Sequence, residues 1–141
     1  MELLLDHLSA LNWWAVVVAT VVAMFVGSVW YARGVFGKPW LKAIGLSEKK
    51  MQSASMAQPM VFMVVATFVT AVAMGVLVQV LDLTTAWQGA TFGILVAVTL
   101  LGTNKVMQSQ FEQRPLSYNV ITTAADVVTL ALMAAILAVW R

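Results

Sequence analysis

The residue with the clearest chemical potential in this chain is Asp126, an acidic side chain within a long apolar stretch. It lies about eight residues, or roughly 12 Å of helix, past Tyr118. A carboxylate inside a membrane is costly and is therefore a candidate functional site. Thr122 and Thr129 share its helix face, and Asn119 extends this polar stripe. The stripe allows two interpretations: Asp126 exchanges protons, or it is a protonated or hydrogen-bonded residue that holds helices together.

A second group of polar candidates lies at the end of the third apolar stretch and in the connection that follows it. Asn104 and Lys105 close the third apolar stretch, and we expect Lys105 to extend toward lipid phosphates rather than bind a substrate. Glu112 and Arg114 are expected to pair with each other or with the first basic loop. The residues predicted to contact loops or lipid head groups are Arg33, Lys38, Trp40, Lys42, Glu112 and Arg114.

Residue types needed for several other chemistries are missing. The chain has no cysteine and a single histidine, His7, so thiolate sites and histidine-rich metal sites are excluded. No phosphate-binding or dinucleotide-binding glycine motif occurs. A Ser-His-Asp arrangement is also unsupported, because His7 and Asp126 fall in different compartments of the predicted topology. We therefore expect no metal, no cofactor and no enzymatic activity.

The composition indicates which elements must position these residues. The chain has 141 residues, of which 62% are hydrophobic and 10% charged, whereas soluble domains average about 45–50% and about 25%. So small a soluble domain cannot bury this apolar excess. We therefore predict a single membrane domain, residues 1–141, with the lipid bilayer as its first partner. The net charge of +2 reflects membrane topology, and no nucleic-acid partner is expected.

Four apolar stretches are long enough to cross a bilayer, which takes about 20 helical residues. They cover about 13–31, 60–81, 87–106 and 118–140. Their continuous apolar character argues against strands. The predicted fold is all-α: a polytopic membrane protein with four transmembrane helices in a compact bundle. The loop at 32–58 is predicted to carry short interfacial helices, one between Pro39 and Gly45 and one capped by Ser47.

The basic residues predict the orientation of the bundle. Seven of the eight Lys and Arg residues belong to the side of the first and third connections, and only Arg141 belongs to the other side. The positive-inside rule then places both basic loops in the cytoplasm and both termini outside. The six tryptophans fall at predicted interfaces, in agreement with this topology. We expect an inner-membrane protein with periplasmic N- and C-termini.

Small residues recur at every fourth position in the predicted spans, a pattern that permits close helix contacts in lipid. The residues predicted to pack helices are Ala19, Ala23, Gly27, Ala71, Gly75, Gly89 and Gly93. The pattern does not distinguish contacts within one chain from contacts between chains. It favours a non-enzymatic protein that acts through helix packing, as a homo-oligomer or as an accessory subunit of another membrane protein complex. The alternative is a small oligomeric transporter or channel that uses Asp126.

Several short motifs carry a family resemblance over nearly the whole chain. They are Leu11–Trp13, Gly27–Tyr31, Phe36–Trp40, Gly45–Glu48, Phe111–Pro115 and Leu132–Trp140. In combination they resemble the domain-of-unknown-function family 1761. The resemblance implies a four-span, mostly bacterial membrane protein and carries over no known activity, cofactor or catalytic residue. Two departures stand out: Ala32-Arg33 replaces the family's usual Ser-Pro, and Ala125-Asp126 replaces a frequent Tyr-His.

Overall fold

The computed structural model describes residues 1–141, and it contains helices but no strands. The α-helices are α1 Glu2–Ser9, α2 Trp13–Trp30, α3 Lys38–Ile44, α4 Glu48–Ser53, α5 Ala57–Val80, α6 Ala86–Val96, α7 Thr103–Phe111 and α8 Leu116–Val139. Two π-helical segments, Arg33–Gly37 and Ala97–Gly102, precede α3 and join α6 to α7. Four helices are long and apolar enough to cross a membrane: α2, α5, the continuous Ala86–Phe111 and α8. The all-α, four-span fold is thereby confirmed.

The helices extend beyond the apolar stretches on which the span predictions rest. Helix α5 begins at Ala57, because Pro59 is tolerated in a first turn where its missing N–H has no partner. The third span continues to Phe111, because backbone hydrogen bonding runs on through its polar last turns. The loop between α2 and α5 contains the two short helices α3 and α4. Gly45 ends α3 with a φ of 75°, a conformation that favours glycine.

Side-chain caps define two of the span beginnings. The Asn12 side chain accepts hydrogen bonds from the backbone N–H groups of Trp14 at 3.1 Å and Ala15 at 3.3 Å. At the start of α6, Thr85 and Gln88 form a reciprocal capping box. These contacts satisfy amide groups that have no partner within their own helix. Each cap therefore fixes where a span starts.

Helix α8 is the centre of the bundle and packs against α2, α5 and α6. Its closest neighbour is α6, which approaches through Gly89 and Gly93. A Cβ atom on Gly89 would collide with the Ala134 backbone, and one on Gly93 with the Leu130 backbone. Glycine is therefore required at both positions, and van der Waals contact between backbones holds these helices together. This contact lies within one chain.

Contacts of Arg141 show how the ends of the bundle are arranged. Its guanidinium donates to Asp82 Oδ1 at 3.0 Å and to the Leu83 carbonyl at 2.6 Å. The Asn12 side chain donates to the Arg141 carbonyl at 3.4 Å. Both termini and the α5–α6 connection therefore share one end of the bundle, here called the terminal end. The opposite end, here called the loop end, carries residues 31–56 and 112–115.

The packed core lies mainly toward the terminal end. Helix α5 has no buried residue before Ala71, although its second half supplies several core side chains. The bundle therefore opens toward the loop end. Only 27 of 141 residues are buried in total, so most of the hydrophobic side chains lie on the outer surface. Examples are Phe25 and Phe62, which are 68% and 67% exposed, as expected of side chains that face lipid.

Candidate functional site

The π-helical segment in the third span decides which polar residue faces α8. Helical spacing from Gly89, Gly93 and Ala97 would bring Leu100 and then Asn104 onto the same face. Instead, Leu100 is 64% exposed and Leu101 packs against the core. The segment Ala97–Gly102 accommodates one additional residue, which rotates everything after it by about 100°. Lys105 consequently takes the position facing α8 that a regular helix would assign to Asn104.

Lys105 and Asp126 form an ion pair between the third span and α8. The Lys105 Nζ donates to Asp126 Oδ2, and also to the Thr122 carbonyl at 3.4 Å. Their side chains are 27% and 25% exposed, so the pair is largely shielded within the bundle. The expectation that Lys105 extends toward lipid phosphates is therefore wrong. The carboxylate one helix away offers a nearer partner, and the π-helical segment directs the ammonium group toward it.

A cavity of about 640 Å³ opens next to this pair at the loop end. Lys105 and Thr122 form part of its wall, whereas Asp126 lies behind Lys105. The cavity exists because the first half of α5 stays apart from the core. Other lining residues come from α2, from the loop segment with its helices, and from the starts of α5 and α8. They are Gly27, Ser28, Tyr31, Arg33, Gly37, Trp40, Leu41, Glu48, Met51, Gln52, Met56, Met60, Met63 and Tyr118.

Aromatic contacts hold the loop helices against the spans. The Tyr31 and Trp40 rings lie 5.0 Å apart at 58°, and Trp30 stacks on Phe36 at 4.6 Å. The Trp30 indole N–H also donates to the Ile121 carbonyl at 3.1 Å. Gly37 permits this fold, because a Cβ there would meet the backbone carbonyls of Tyr31 and Ala32. These contacts make α3 a fixed wall of the cavity.

Two further charged residues line the cavity without a protein partner. Arg33 and Glu48 both belong to its wall. The three ion pairs of the structure are Lys105–Asp126, Arg114–Glu112 and Arg141–Asp82. Arg33 and Glu48 therefore pair neither with each other nor with another side chain. The cavity contains one basic and one acidic group that are both available to a ligand.

The remaining residues of the predicted polar stripe differ in their surroundings. Thr122 is buried and donates to the Tyr118 carbonyl of its own helix at 2.9 Å. Thr129 is half-buried and makes no side-chain hydrogen bond, and Asn104 is exposed. Asn119 is buried, and its amide donates to Ser109 Oγ at 2.8 Å. The Asn119 Oδ1 atom has no partner. Of the predicted stripe, therefore, only Thr122 lines the cavity, and Asp126 lies behind Lys105.

The predicted loop residues separate into three groups. Lys38 and Lys42 are exposed, whereas Arg33 and Trp40 line the cavity. Of the two alternatives for Glu112 and Arg114, the structure has them paired with each other, with Arg114 Nε 2.6 Å from Glu112 Oε2.

The surroundings of Arg114 explain its electrostatics. Its guanidinium also lies over the Tyr118 ring, 5.1 Å from the centroid. The hydrogen bond to Glu112 raises the pKa of Arg114 above its ordinary value. Because this pair is exposed, it is expected to add little stability.

The small residues predicted to pack helices do so with one departure. Ala19, Ala23 and Ala71 are buried in the core. A Cβ on Gly75 would meet the side chains of Leu11 and Leu137. Gly89 and Gly93 contact α8, as described above. Gly27 differs, because apart from its chain neighbours and its own helix backbone no atom lies within 4 Å of where its Cβ would be, and it borders the cavity instead.

Sequence reasoning missed several residues of this site. Glu48 and Tyr31 were named only within family motifs and not as site residues, and Gln52 was not named at all. One signal was available: Met56, Met60 and Met63 are spaced so that they share a helix face. No group of three or more His, Asp or Glu residues is placed to hold a metal ion.

Comparison with known proteins gives a family and no closer relative. No curated protein and no solved structure matches the chain. The family model described as protein of unknown function (DUF1761) matches residues 14–138, which include all four spans except the ends of the outermost two. The chain therefore belongs to the DUF1761 family of proteins of unknown function.

Proposed function

We propose that this protein is a small, non-enzymatic membrane transporter in which Asp126 carries a proton and Lys105 is its counter-charge. The observation that carries the proposal is the Lys105–Asp126 ion pair beside a cavity that opens at one end of the bundle. Ionisable residues inside membrane spans commonly mark proton relays and transport paths. The family match supports a membrane protein and leaves its activity open.

The pair has a built-in coupling between protons and anions. When Asp126 is ionised, its carboxylate neutralises Lys105 within the bundle. When Asp126 takes up a proton, Lys105 loses that partner and can bind an anion in the cavity instead. Proton uptake on Asp126 and anion binding on Lys105 therefore favour each other, and by linkage the coupling acts equally in both directions. This is the energetic requirement for moving a proton and an anion together.

The packing of the bundle supports a cycle with alternating openings. The cavity opens at the loop end, while the core beyond Asp126 is apolar and closed by Leu130, Met133 and Leu137. The described state therefore corresponds to one open toward the loop end. From the basic residues of that end we infer that it faces the cytoplasm, in a bacterial inner membrane. Release on the other side requires helix movements of the kind seen in transporters built from packed helix pairs.

A proton-flux assay tests this proposal. The purified protein is placed in vesicles of bacterial phospholipid that contain a pH-sensitive dye. A drop in the external pH, in a medium that contains inorganic phosphate, then supplies a proton gradient together with an anion. We expect faster acidification than in protein-free vesicles, and a return to background with Asp126→Asn. The matched control is Glu112→Gln, which neutralises an exposed acid that does not line the cavity and should retain full flux.

Two results would contradict the proposal. One is equal proton entry with and without the wild-type protein. The other is an Asp126→Asn variant that stays folded, as judged by circular dichroism and gel filtration, and retains full flux. An inactive variant that has also lost its helical signal would be replaced by Asp126→Glu, which keeps the charge and is expected to keep part of the flux.

The assembly hypothesis depends on another measurement. Its support from Gly89 and Gly93 is weakened, because both glycines contact α8 of the same chain. The mass and composition of the complex, purified gently from native membranes, test it directly. A stable heteromeric partner would favour an accessory-subunit role over transport. A homo-oligomer would be compatible with a transporter in which each chain has its own cavity.

A further inference from the structure

We propose that the loop-end cavity binds an aminophospholipid, with the lipid phosphate on Arg33, its amine on Glu48 and its acyl chain along a wall of methionines. This inference names the ligand class of the cavity that the proposed transporter uses, and so it rests on that proposal. It is carried by the charges, the wall and the depth of the cavity.

The charges of the cavity match a zwitterion. Arg33 and Glu48 line the same cavity, and neither has a partner among the ion pairs of the structure. A guanidinium group binds phosphate through two parallel hydrogen bonds. A carboxylate accepts hydrogen bonds from an ammonium group. A ligand that carries both a phosphate and an amine would satisfy both residues, whereas an anion alone would leave Glu48 without a partner.

The wall of the cavity fits an acyl chain. Met51, Met56, Met60 and Met63 line it, and the last three follow helical spacing from the N-cap of α5 into its first turns. Methionine is flexible and polarizable, so it adapts to irregular apolar ligands. The volume of about 640 Å³ lies within the range of about 300–1,000 Å³ found for small-molecule sites. The cavity thus offers polar groups at one part of its surface and a deformable apolar wall at another.

The depth of the cavity places it beside phospholipid head groups. Tyr31, Trp40 and Tyr118 line it, and Trp30 precedes Tyr31 as the last residue of α2. Tyrosine and tryptophan concentrate at the membrane–water interface because their rings are amphipathic. A cavity at this level is reached by a membrane lipid without transfer of its head group into the apolar core. The bilayer is therefore the source of the ligand, rather than a dissolved metabolite.

A binding assay on the full-length protein in detergent tests the inference. Native mass spectrometry measures binding of palmitoyl-lysophosphatidylethanolamine and of palmitoyl-lysophosphatidylglycerol, which has the same chain and phosphate but no amine. We expect the first to bind about tenfold more tightly, as one additional charged hydrogen bond implies. Free phosphoethanolamine at equal concentration should compete poorly, because it cannot contact the methionines.

Two variants separate the contributions of the charges. Arg33→Gln should weaken both lipids about tenfold, whereas Glu48→Gln should remove the preference for the amine and leave the other lipid unchanged. The matched controls are Lys38→Gln and Glu2→Gln, which neutralise unpaired charges outside the cavity and should bind as the wild type does.

Equal binding of the two lipids by the wild type would overturn the inference, as would a preference that persists in Glu48→Gln. Competition by free phosphoethanolamine as strong as that of the lipid would overturn the membrane source. The assay contains no proton gradient, so its failure leaves the role of Asp126 standing. Loss of proton flux in Asp126→Asn, conversely, makes no statement about the lipid.

Discussion

Lys105 and Asp126 are charged groups that the bundle keeps largely away from water, with only about a quarter of each side chain exposed. Removing water from a charge is expensive, and the attraction between the two groups offsets that cost only while both are present. A single neutral substitution therefore leaves the other charge shielded and unpaired. A double substitution removes the desolvation cost together with the attraction.

This difference gives a prediction for stability. Lys105→Met should lower the free energy of unfolding by roughly 2–3 kcal/mol, and adding Asp126→Leu should restore at least half of that loss. Unfolding in mixed micelles, followed by far-ultraviolet circular dichroism, measures both. The control is Arg141→Met, which breaks the more exposed pair with Asp82 and should cost less than about 1 kcal/mol. A double variant no more stable than Lys105→Met would contradict this account of the pair.

At the scale of the helices, α6 contacts α8 through two glycines. Replacing glycine by alanine should therefore have opposite effects inside and outside this contact. Gly93→Ala should destabilise by about 1–3 kcal/mol, because the new Cβ would collide with the Leu130 backbone and force the helices apart. Gly27→Ala should stabilise by about 0.5–1 kcal/mol, because its site is open and alanine favours a helix. The same unfolding titration compares them. Equal changes in the free energy of unfolding for the two variants would show that the close approach of α6 to α8 does not stabilise the protein.

The third span also shows where sequence reasoning reaches its limit. Glycine spacing predicts a packed face through Gly89 and Gly93, and the structure has that face against α8. The spacing cannot predict the π-helical segment, since Leu100 and Leu101 are equally apolar and either one suits the core. The two registers differ in which residue faces Asp126: a regular helix would place Asn104 there, and the π-helical segment places Lys105 there. That contact joins residues far apart in sequence, so hydropathy and local propensity contain no record of it.

For the whole molecule, four apolar stretches were sufficient to predict an all-α, four-span bundle, and the structure agrees. The cavity was not predictable in the same way. It arises because α5 packs only from Ala71 onward, although residues 60–70 are as apolar as the part of the helix that follows. Apolar composition alone does not tell whether a helix faces lipid, core or cavity. Arg33 was predicted to contact lipid head groups. Its place in the same cavity as Glu48, however, depends on how α4 folds back against the spans.

The basic residues of the chain predict which end of the bundle faces the cytoplasm. Because the chain contains no cysteine, single cysteines report on each end without background. In intact bacterial cells, a membrane-impermeant maleimide should label Thr84→Cys at the terminal end and leave Ser53→Cys at the loop end unlabelled. Both positions are exposed, so both should react once the cells are permeabilised. The reason is the concentration of seven basic residues toward the loop end, which the positive-inside rule retains in the cytoplasm. The reverse pattern would place the cavity and Arg33 on the periplasmic side, and the transporter would then take its ligand from the outer leaflet.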